Sequence, residues 1–301
     1  MKAVIYPLLI VVICLISLSC GTEATTNIDT EKAQNLDGIA ASGSPLPPEY
    51  KNMLSAIVAS PNEHERNATY ANRVGKQLIK QEQPKKAIDV LKRSIIADYE
   101  AKSTRDNIVT LLDVYRDNPK YRGTYIDLVQ SLQEGNPNFT NLDRYKKDIP
   151  KDTNSATARI EEIRNNLTDT STGRLDLKKV NEFVNLIEIF VMVNPDNKQS
   201  PVYLKLAAEV LNSIKVYPRA IEFYDWTLNR FPNSPQAAQA LFMKGFTLDD
   251  GMKKKKLAKP VYEEFLRKYP KNDFADDTKF LLENINKSDE EIIKQFEKKD
   301  K

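Results

Sequence analysis

The residue types that most often perform chemistry are scarce in this chain. Its 301 residues include two cysteines, Cys14 and Cys20, and one histidine, His64. Both cysteines lie within the first 20 residues, so the rest of the sequence has no thiol for a disulfide framework or a thiolate metal site. One histidine cannot form a histidine cluster, and it nearly excludes nucleophile–histidine pairs. The inventory predicts a protein that is not an enzyme and that holds no metal or other cofactor.

The acidic residues do not supply an alternative site. Pairs such as Glu161 and Glu162 are adjacent on predicted helices, where neighbouring side chains point about 100° apart. The run from Asp249 to Gly251 lacks the alternating ligands of a calcium loop. Lys+Arg number 45 and Asp+Glu 42, an excess of +3 that is spread along the chain. Such a balance does not predict nucleic-acid binding, which needs a concentrated basic face.

Cys20 follows a short apolar segment at the start of the chain. Lys2 precedes an almost wholly apolar stretch, and small residues lead to Ser19 and Cys20. This order is typical of a secretory signal peptide over residues 1–19, and the stretch is shorter than the roughly 20 residues of a spanning helix. The segment resembles the signal of bacterial lipoproteins, although Ser17 stands where a leucine is usual. The resemblance implies that Cys20 becomes a lipid-carrying mature N-terminus; the alternative is an ordinary signal with an incidental cysteine.

A polar segment separates this cysteine from the rest of the chain. Residues 20–48 are rich in Thr, Ala, Ser, Gly and Asp and end in a proline-rich run. Such a composition cannot bury enough apolar surface to order itself, so we expect a flexible tether. At the other end, residues 287–301 alternate lysine with acidic residues and predict a charged terminal helix or tail.

The body of the chain reads as helical throughout. Serine followed by proline recurs at predicted helix starts, as at Ser200-Pro201 and Ser234-Pro235. The chain has only nine glycines. We predict an all-α fold with N-terminal and C-terminal helical regions at 49–134 and 154–286. The polar segment 135–153, which holds Pro137 and Pro150, is predicted to be a linker between them.

Small and large residues recur at helix–turn–helix spacing. Ala87 and Leu91 follow Gly75 at the same intervals that separate Ala220 and Tyr224 from Ala208. We expect the small residues at the closest approach of two antiparallel helices. Pro195, Pro232 and Pro270 are 37 and 38 residues apart, a little longer than the ~34-residue period of tetratricopeptide repeats. The predicted structural repeat positions are Gly75, Ala87, Ala208, Ala220, Tyr224, Gly245, Ala258 and Tyr262.

These repeats resemble tetratricopeptide repeats of Gram-negative outer-membrane and periplasmic proteins, such as the lipoprotein of the β-barrel assembly machinery and the coordinator of envelope constriction. The run from Phe231 to Leu241 carries most of the likeness, which covers about 200–286 well and 66–99 fairly. The resemblance implies an α-α superhelix, a tetratricopeptide-like solenoid, that binds proteins or peptides on its first helices. On this basis we predict partner contacts at exposed Tyr203, Glu209, Gln239 and Lys244.

The combined expectation is an envelope adaptor or scaffold that binds a protein or peptide partner and touches the membrane through its N-terminal lipid. By resemblance, Gly21 after the cysteine favours the outer membrane, and we favour its periplasmic face. The alternatives are a structural subunit of an outer-membrane assembly or secretion complex, and a surface ligand-binding lipoprotein.

Three further features have both a structural and a functional interpretation. The run from Lys253 to Lys256 is predicted to be a solvated turn, with contact to an anionic surface as the alternative. Trp226 is expected to pack partly buried, with stacking against a ligand as the alternative. Glu188, inside the apolar run 184–193, is expected to point to the rim.

Overall fold

The computed structural model describes residues 64–97, 99–288 and 290–291. In these ranges the chain forms twelve α-helices, one 3-10 turn and one π-helix. The only β pairing described is an isolated bridge between Thr168 and Leu175. The predicted all-α fold class is confirmed for the described residues. The predicted signal peptide, Cys20, the tether and most of the 287–301 tail lie outside them.

The helices fall into two compact units. Unit 1 reaches to Glu162 and also takes in Glu188–Pro195, whereas unit 2 comprises Ile163–Ile187 and the residues from Asp196 onward. The boundary therefore lies after the segment 135–153 rather than inside it. We describe each unit by itself.

Unit 1 is built from helices that pack against their neighbours in the chain. In order they are α1 His64–Lys80, α2 Pro84–Ala97, α3 Thr104–Arg116, a 3-10 turn Pro119–Tyr121, α4 Arg122–Gly135, α5 Leu142–Lys146 and most of α6 Ala156–Asn165. Helix α1 contacts both α2 and α3. Its buried apolar residues Ala71, Val74 and Leu78 recur every three or four positions, so one stripe of the helix faces the core.

The segment 135–153, which we predicted to be a linker between two helical regions, is folded into unit 1. It contains the short helix α5 and buries Phe139, Leu142 and Tyr145. The Tyr125 hydroxyl donates to the carbonyl of Tyr145 at 2.9 Å, and the Tyr145 hydroxyl donates to Oδ1 of Asp113 at 3.0 Å. Burial and the nearby Asp113 carboxylate raise the pKa of Tyr145 to about 12. The burial of these three side chains thus packs the segment against unit 1, although its remaining residues are mostly polar.

Unit 2 continues the pairwise packing. Helix α7 Leu177–Val193 contributes its first part to this unit, and α8 Ser200–Ser213, α9 Tyr217–Arg230, α10 Gln236–Phe246, a π-helix Thr247–Gly251, α11 Lys255–Lys268 and α12 Ala275–Asn284 follow. Successive helices from α8 to α12 contact one another, and α8 also contacts α10. A shared core joins α10 to α12 through Leu241, Phe265 and Ala275.

Two local features concern the helix start after α12 and the burial of α7. Ser288 and Glu291 form a capping box, because the Ser288 amide donates to the Glu291 carboxylate at 2.8 Å and the Glu291 amide donates to Ser288 Oγ at 3.3 Å. The apolar run at 184–193 lies on α7, where Phe183, Ile187 and Phe190 are fully buried.

Candidate partner-binding surface

The predicted repeat positions of unit 1 lie at a close contact between α1 and α2. Ala87 is fully buried. A Cβ atom added to Gly75 would lie 2.9 Å from Cδ2 of Leu91. Gly75 therefore sits where α1 approaches the large side chain that follows Ala87 by one helical turn.

Two helix pairs of unit 2 carry small and large residues at the corresponding positions. Ala208, Ala220 and Tyr224 are buried in the pair α8–α9. In the pair α10–α11, Ala258 and Tyr262 are fully buried. A Cβ atom added to Gly245 would lie 2.7 Å from Cε1 of Tyr262. In the pairs α1–α2 and α10–α11, the glycine on the first helix thus lies opposite the large residue four positions after the alanine of the second helix.

The turns inside these three helix pairs share an unusual backbone conformation. Glu82, Lys215 and Lys253 have φ values of 56°, 63° and 55°, in the left-handed region that glycine usually occupies at a helix end. Each lies five residues before the alanine of the second helix. In the first two turns the next amide donates back to the first helix: Gln83 to the carbonyl of Leu78 and Val216 to that of Leu211, both at 2.9 Å. This is the hydrogen bond of a Schellman cap.

The π-helix accounts for the different length of the third pair. Gly245 and Ala258 are 13 residues apart, against 12 for Gly75 and Ala87 or for Ala208 and Ala220. The Met252 amide donates to the carbonyl of Thr247 at 2.8 Å, five residues back. A π-turn holds one more residue than an α-turn. The extra residue is therefore absorbed inside the helix, and the turn keeps its spacing to Ala258.

Tyr203 does not have the exposure that we predicted for a partner contact. Its side chain is 5% exposed, and its neighbour Leu204 is fully buried. On α8 the buried arc also holds Ala207, Ala208 and Leu211. Tyr203 lies at the edge of that arc, so its role in the free chain is packing, and the expectation of exposure was wrong.

Glu209 and Gln239 meet across the two first helices of unit 2. Nε2 of Gln239 on α10 donates to Oε1 of Glu209 on α8 at 3.2 Å. Nζ of Lys205, one turn earlier on α8, lies 3.6 Å from the same oxygen. All three side chains are partly buried. They form a polar patch that spans α8 and α10, which agrees with the contact between these two helices.

Lys244 lies away from that patch. Its Nζ lies 2.6 Å from Oδ1 of Asp225 on α9, and the two side chains are 20% and 16% exposed. Burial raises the pKa of Asp225, although the ammonium of Lys244 opposes the rise. On α10, Gln239 and Lys244 are five residues apart and so point about 140° from each other. The four predicted contact residues therefore do not converge on one surface.

Apolar residues that the sequence analysis did not select border the polar patch. Val202 and Leu206 on α8 and Met243 and Phe246 on α10 are partly buried. Their spacing of three or four residues places them on the same helix faces as Glu209 and Gln239. Large apolar side chains that lie together and keep part of their surface exposed can receive further apolar contacts. We call the faces of α8 and α10 that carry these residues and the Glu209–Gln239 pair the inner face of unit 2.

Unit 1 has a buried amide network between its first three helices. Asn107 on α3 is fully buried, and its Nδ2 donates to the carbonyl of Ala68 at 3.0 Å and to Oγ of Ser94 at 3.1 Å. Nδ2 of Asn72 donates to Oγ1 of Thr110 at 2.9 Å. Buried polar groups keep such bonds only in one packing arrangement, so the network fixes how α1, α2 and α3 meet.

Glu188 and Trp226 can now be placed. Glu188 accepts a hydrogen bond from Nζ of Lys92 at 2.5 Å, with only 12% of its side chain exposed, and so differs from the expected rim position. Burial is the main cause of the raised pKa of Tyr115, and the Glu188 carboxylate adds to it. Trp226 is partly buried, as predicted, with its ring 6.1 Å from that of Phe223.

Three comparisons were made with known proteins. Protein-family models, curated proteins and solved structures all gave no match to this chain. Among the described residues, no helix combines the length and apolar character needed to cross a membrane. The described part of the chain also brings together no group of three or more His, Cys, Asp or Glu side chains able to hold a metal ion.

Proposed function

We propose that this chain is a lipid-anchored adaptor of the bacterial cell envelope, whose helix pairs stack as a tetratricopeptide-like solenoid and bind a segment of a partner protein. Three helix pairs with small residues at corresponding positions and the same left-handed turn support the solenoid. The order of residues up to Cys20 supports the lipid anchor. The scarcity of histidine and cysteine supports a role without catalysis.

The inner face of unit 2 is the surface that we propose binds the partner protein. Its apolar residues Val202, Leu206, Met243 and Phe246 are only partly buried, so a partner can cover their remaining surface. The Glu209–Gln239 pair lies among them and offers carboxylate and amide groups for hydrogen bonds. Apolar anchors with a polar rim are the usual composition of a protein-binding surface. The occupant that fits is an amphipathic helix or extended segment.

The charges near this face are already balanced within the unit. Lys205 lies beside Glu209, and Lys244 is paired with Asp225. A strongly charged partner would have to break such pairs, which costs free energy when the groups are partly buried. Selectivity for the partner therefore comes from its apolar anchors more than from its net charge.

Photo-crosslinking in intact cells tests the inner face. A benzophenone amino acid at Leu206 or at Met243 is expected to capture the same protein, while the same probe at Glu263, an exposed position on α11, is not. The double variant Leu206→Glu/Met243→Glu is expected to abolish that capture from a probe at Val202 without loss of helicity. If the probe at Glu263 captures the same protein equally well, or if capture survives the double variant, the inner face is not the binding surface.

The anchor requires a separate experiment. Cys20→Ala removes the proposed acylation site, so the variant is expected to leave the detergent phase on cell fractionation, or to remain unprocessed. Unchanged recovery of a processed protein in the detergent phase would exclude lipidation at Cys20.

A further inference from the structure

One end of unit 2 gathers the turns that join first and second helices. The turn from α8 to α9 contains Lys215 and Val216, and the turn from α10 to α11 contains Lys253 and Lys254. These turns are in contact, since a Cβ atom added to Gly251 would lie 2.9 Å from Cε1 of Tyr217. The first residues of α11 belong to the same end. We call this surface the basic end; it is formed by residues 213–219 and 249–259.

Positive charge is concentrated on the basic end and is not spread evenly along the chain, as the overall composition had suggested. These two segments hold seven basic residues and two acidic residues, a net charge of +5 in a chain whose total is +3. The rest of the chain therefore carries −2. Lys215 and all residues from Lys253 to Leu257 are exposed. Both acidic residues interact with neighbouring side chains. Asp249 accepts a hydrogen bond from the Tyr262 hydroxyl at 3.4 Å, and Asp250 lies 2.9 Å from Nζ of Lys253.

The backbone adds to this field. Helix α11 begins at Lys255, and its first turn contains no acidic residue. A helix N-terminus carries a partial positive charge that acidic side chains usually offset. In α11, lysines occupy the first-turn positions at which acidic side chains would offset this partial charge. The potential of the basic end is thus more positive than the count of side chains alone indicates.

Apolar side chains stand among the lysines. Val216 is 41% exposed and Leu257 is 46% exposed, and each adjoins an exposed lysine in the sequence. A purely polar anionic ligand gains nothing from them. The boundary between lipid headgroups and acyl chains accepts apolar side chains while anionic headgroups attract the neighbouring lysines.

We propose that the basic end docks on an anionic lipid surface, with Lys254 and Lys256 facing the headgroups and Leu257 entering the interface. The inference does not depend on partner binding at the inner face. It also does not require the lipid on Cys20, although such an anchor would keep a membrane within reach. A second weak contact beside a tether gains strength from its high effective concentration.

A tryptophan probe in the full chain tests the docking. In a Trp226→Phe background, Leu257→Trp places the only indole at the basic end, and Asn233→Trp places it in the exposed turn between α9 and α10, at the other end of these helices. The chain is reconstituted with vesicles of phosphatidylcholine, alone or mixed with phosphatidylglycerol. We expect a blue shift and quenching by brominated lipid for the probe at 257 in the anionic vesicles only, and no change for the probe at 233.

Matched charge variants test whether the lysines of the basic end cause the docking. Each lysine near an anionic surface contributes about five-fold to the docking equilibrium, so Lys254→Gln/Lys256→Gln is expected to lower it about 25-fold. Arg267→Gln/Lys271→Gln removes the same charge from exposed positions at the far end of α11 and should leave it unchanged. The proposal is overturned if the probe at 257 responds equally to both lipid compositions, or if the two charge variants have equal effects. It is also overturned if the probe responds to soluble polyphosphate but not to vesicles.

Discussion

The contact between Gly245 and Tyr262 leads to a quantitative prediction about packing. Replacing Gly245 by alanine adds a Cβ atom 2.7 Å from Cε1 and 2.8 Å from Cδ1 of a fully buried ring. The ring must move, and overpacking a buried contact costs about 1–3 kcal/mol. The gain in helix propensity from glycine to alanine offsets about 1 kcal/mol of this. We expect a net loss of about 1 kcal/mol in the free energy of unfolding.

The same substitution at Gly123 is the matched control. Gly123 lies on α4, and a Cβ atom there would have no neighbour within 4 Å. Gly123 is the second residue of α4, so Gly123→Ala is expected to stabilise the chain by about 0.5 kcal/mol, the low end of the range for glycine in a helix. Urea unfolding followed by circular dichroism measures both changes, and Trp226 fluorescence reports on unit 2 separately. The two alanine variants should shift the midpoint in opposite directions.

A double variant isolates the contact itself. In a Tyr262→Leu background the flexible leucine can make room, so Gly245→Ala should cost less there than in the natural chain. If Gly245→Ala raises stability as Gly123→Ala does, or costs the same with and without Tyr262, the close approach of α10 and α11 is not the source of the effect.

Three further changes test other parts of the structure. Asn107→Ala removes the donor to Ala68 and Ser94 and is expected to lower the free energy of unfolding by about 1–3 kcal/mol in urea titrations; no change would mean that the buried network does not stabilise unit 1. Ala220→Phe should overpack the contact of α8 and α9 and lower the free energy of unfolding by about 1–3 kcal/mol. Lys256→Phe, on the surface, should lower it little, and equal shifts in melting temperature for the two variants would refute the repeat assignment. Because burial raises the pKa of Asp225 in the folded state, its contribution favours folding at acid pH and is lost as the pH rises. Asp225→Asn should therefore gain stability relative to the natural chain as the pH rises above about 4, the ordinary pKa of an aspartate, and a relative loss with rising pH would contradict the raised pKa.

The helical body could be predicted because its signals are local. Ala87 and Ala220 mark helix contacts through their spacing to Leu91 and Tyr224, and a spacing survives any uncertainty about where a helix begins. The packing of the segment 135–153 could not be predicted, for the opposite reason. Its prolines and polar residues dominate the composition, but Phe139, Leu142 and Tyr145 alone determine how it packs.

The candidate surface was harder to predict than the fold. Tyr203 and Glu209 both lie on the predicted first helix, but only the orientation of that helix decides which side chains its neighbours cover. A rotation of about 100° separates adjacent residues on a helix, so Val202 is partly exposed where Tyr203 is buried. Sequence spacing predicts the helix and the apolar stripe that it buries. Which residues at the edge of that stripe stay exposed depends on the neighbouring helices.

The π-helix Thr247–Gly251 has a consequence for how such a chain can change over generations. A single codon inserted into an α-helix turns every later residue by about 100° and would rotate Lys253 and Ala258 out of position. The π-helix confines that extra residue to five positions and returns the chain to its former frame. This stretch of the gene can therefore gain or lose one codon while the packing downstream is inherited intact.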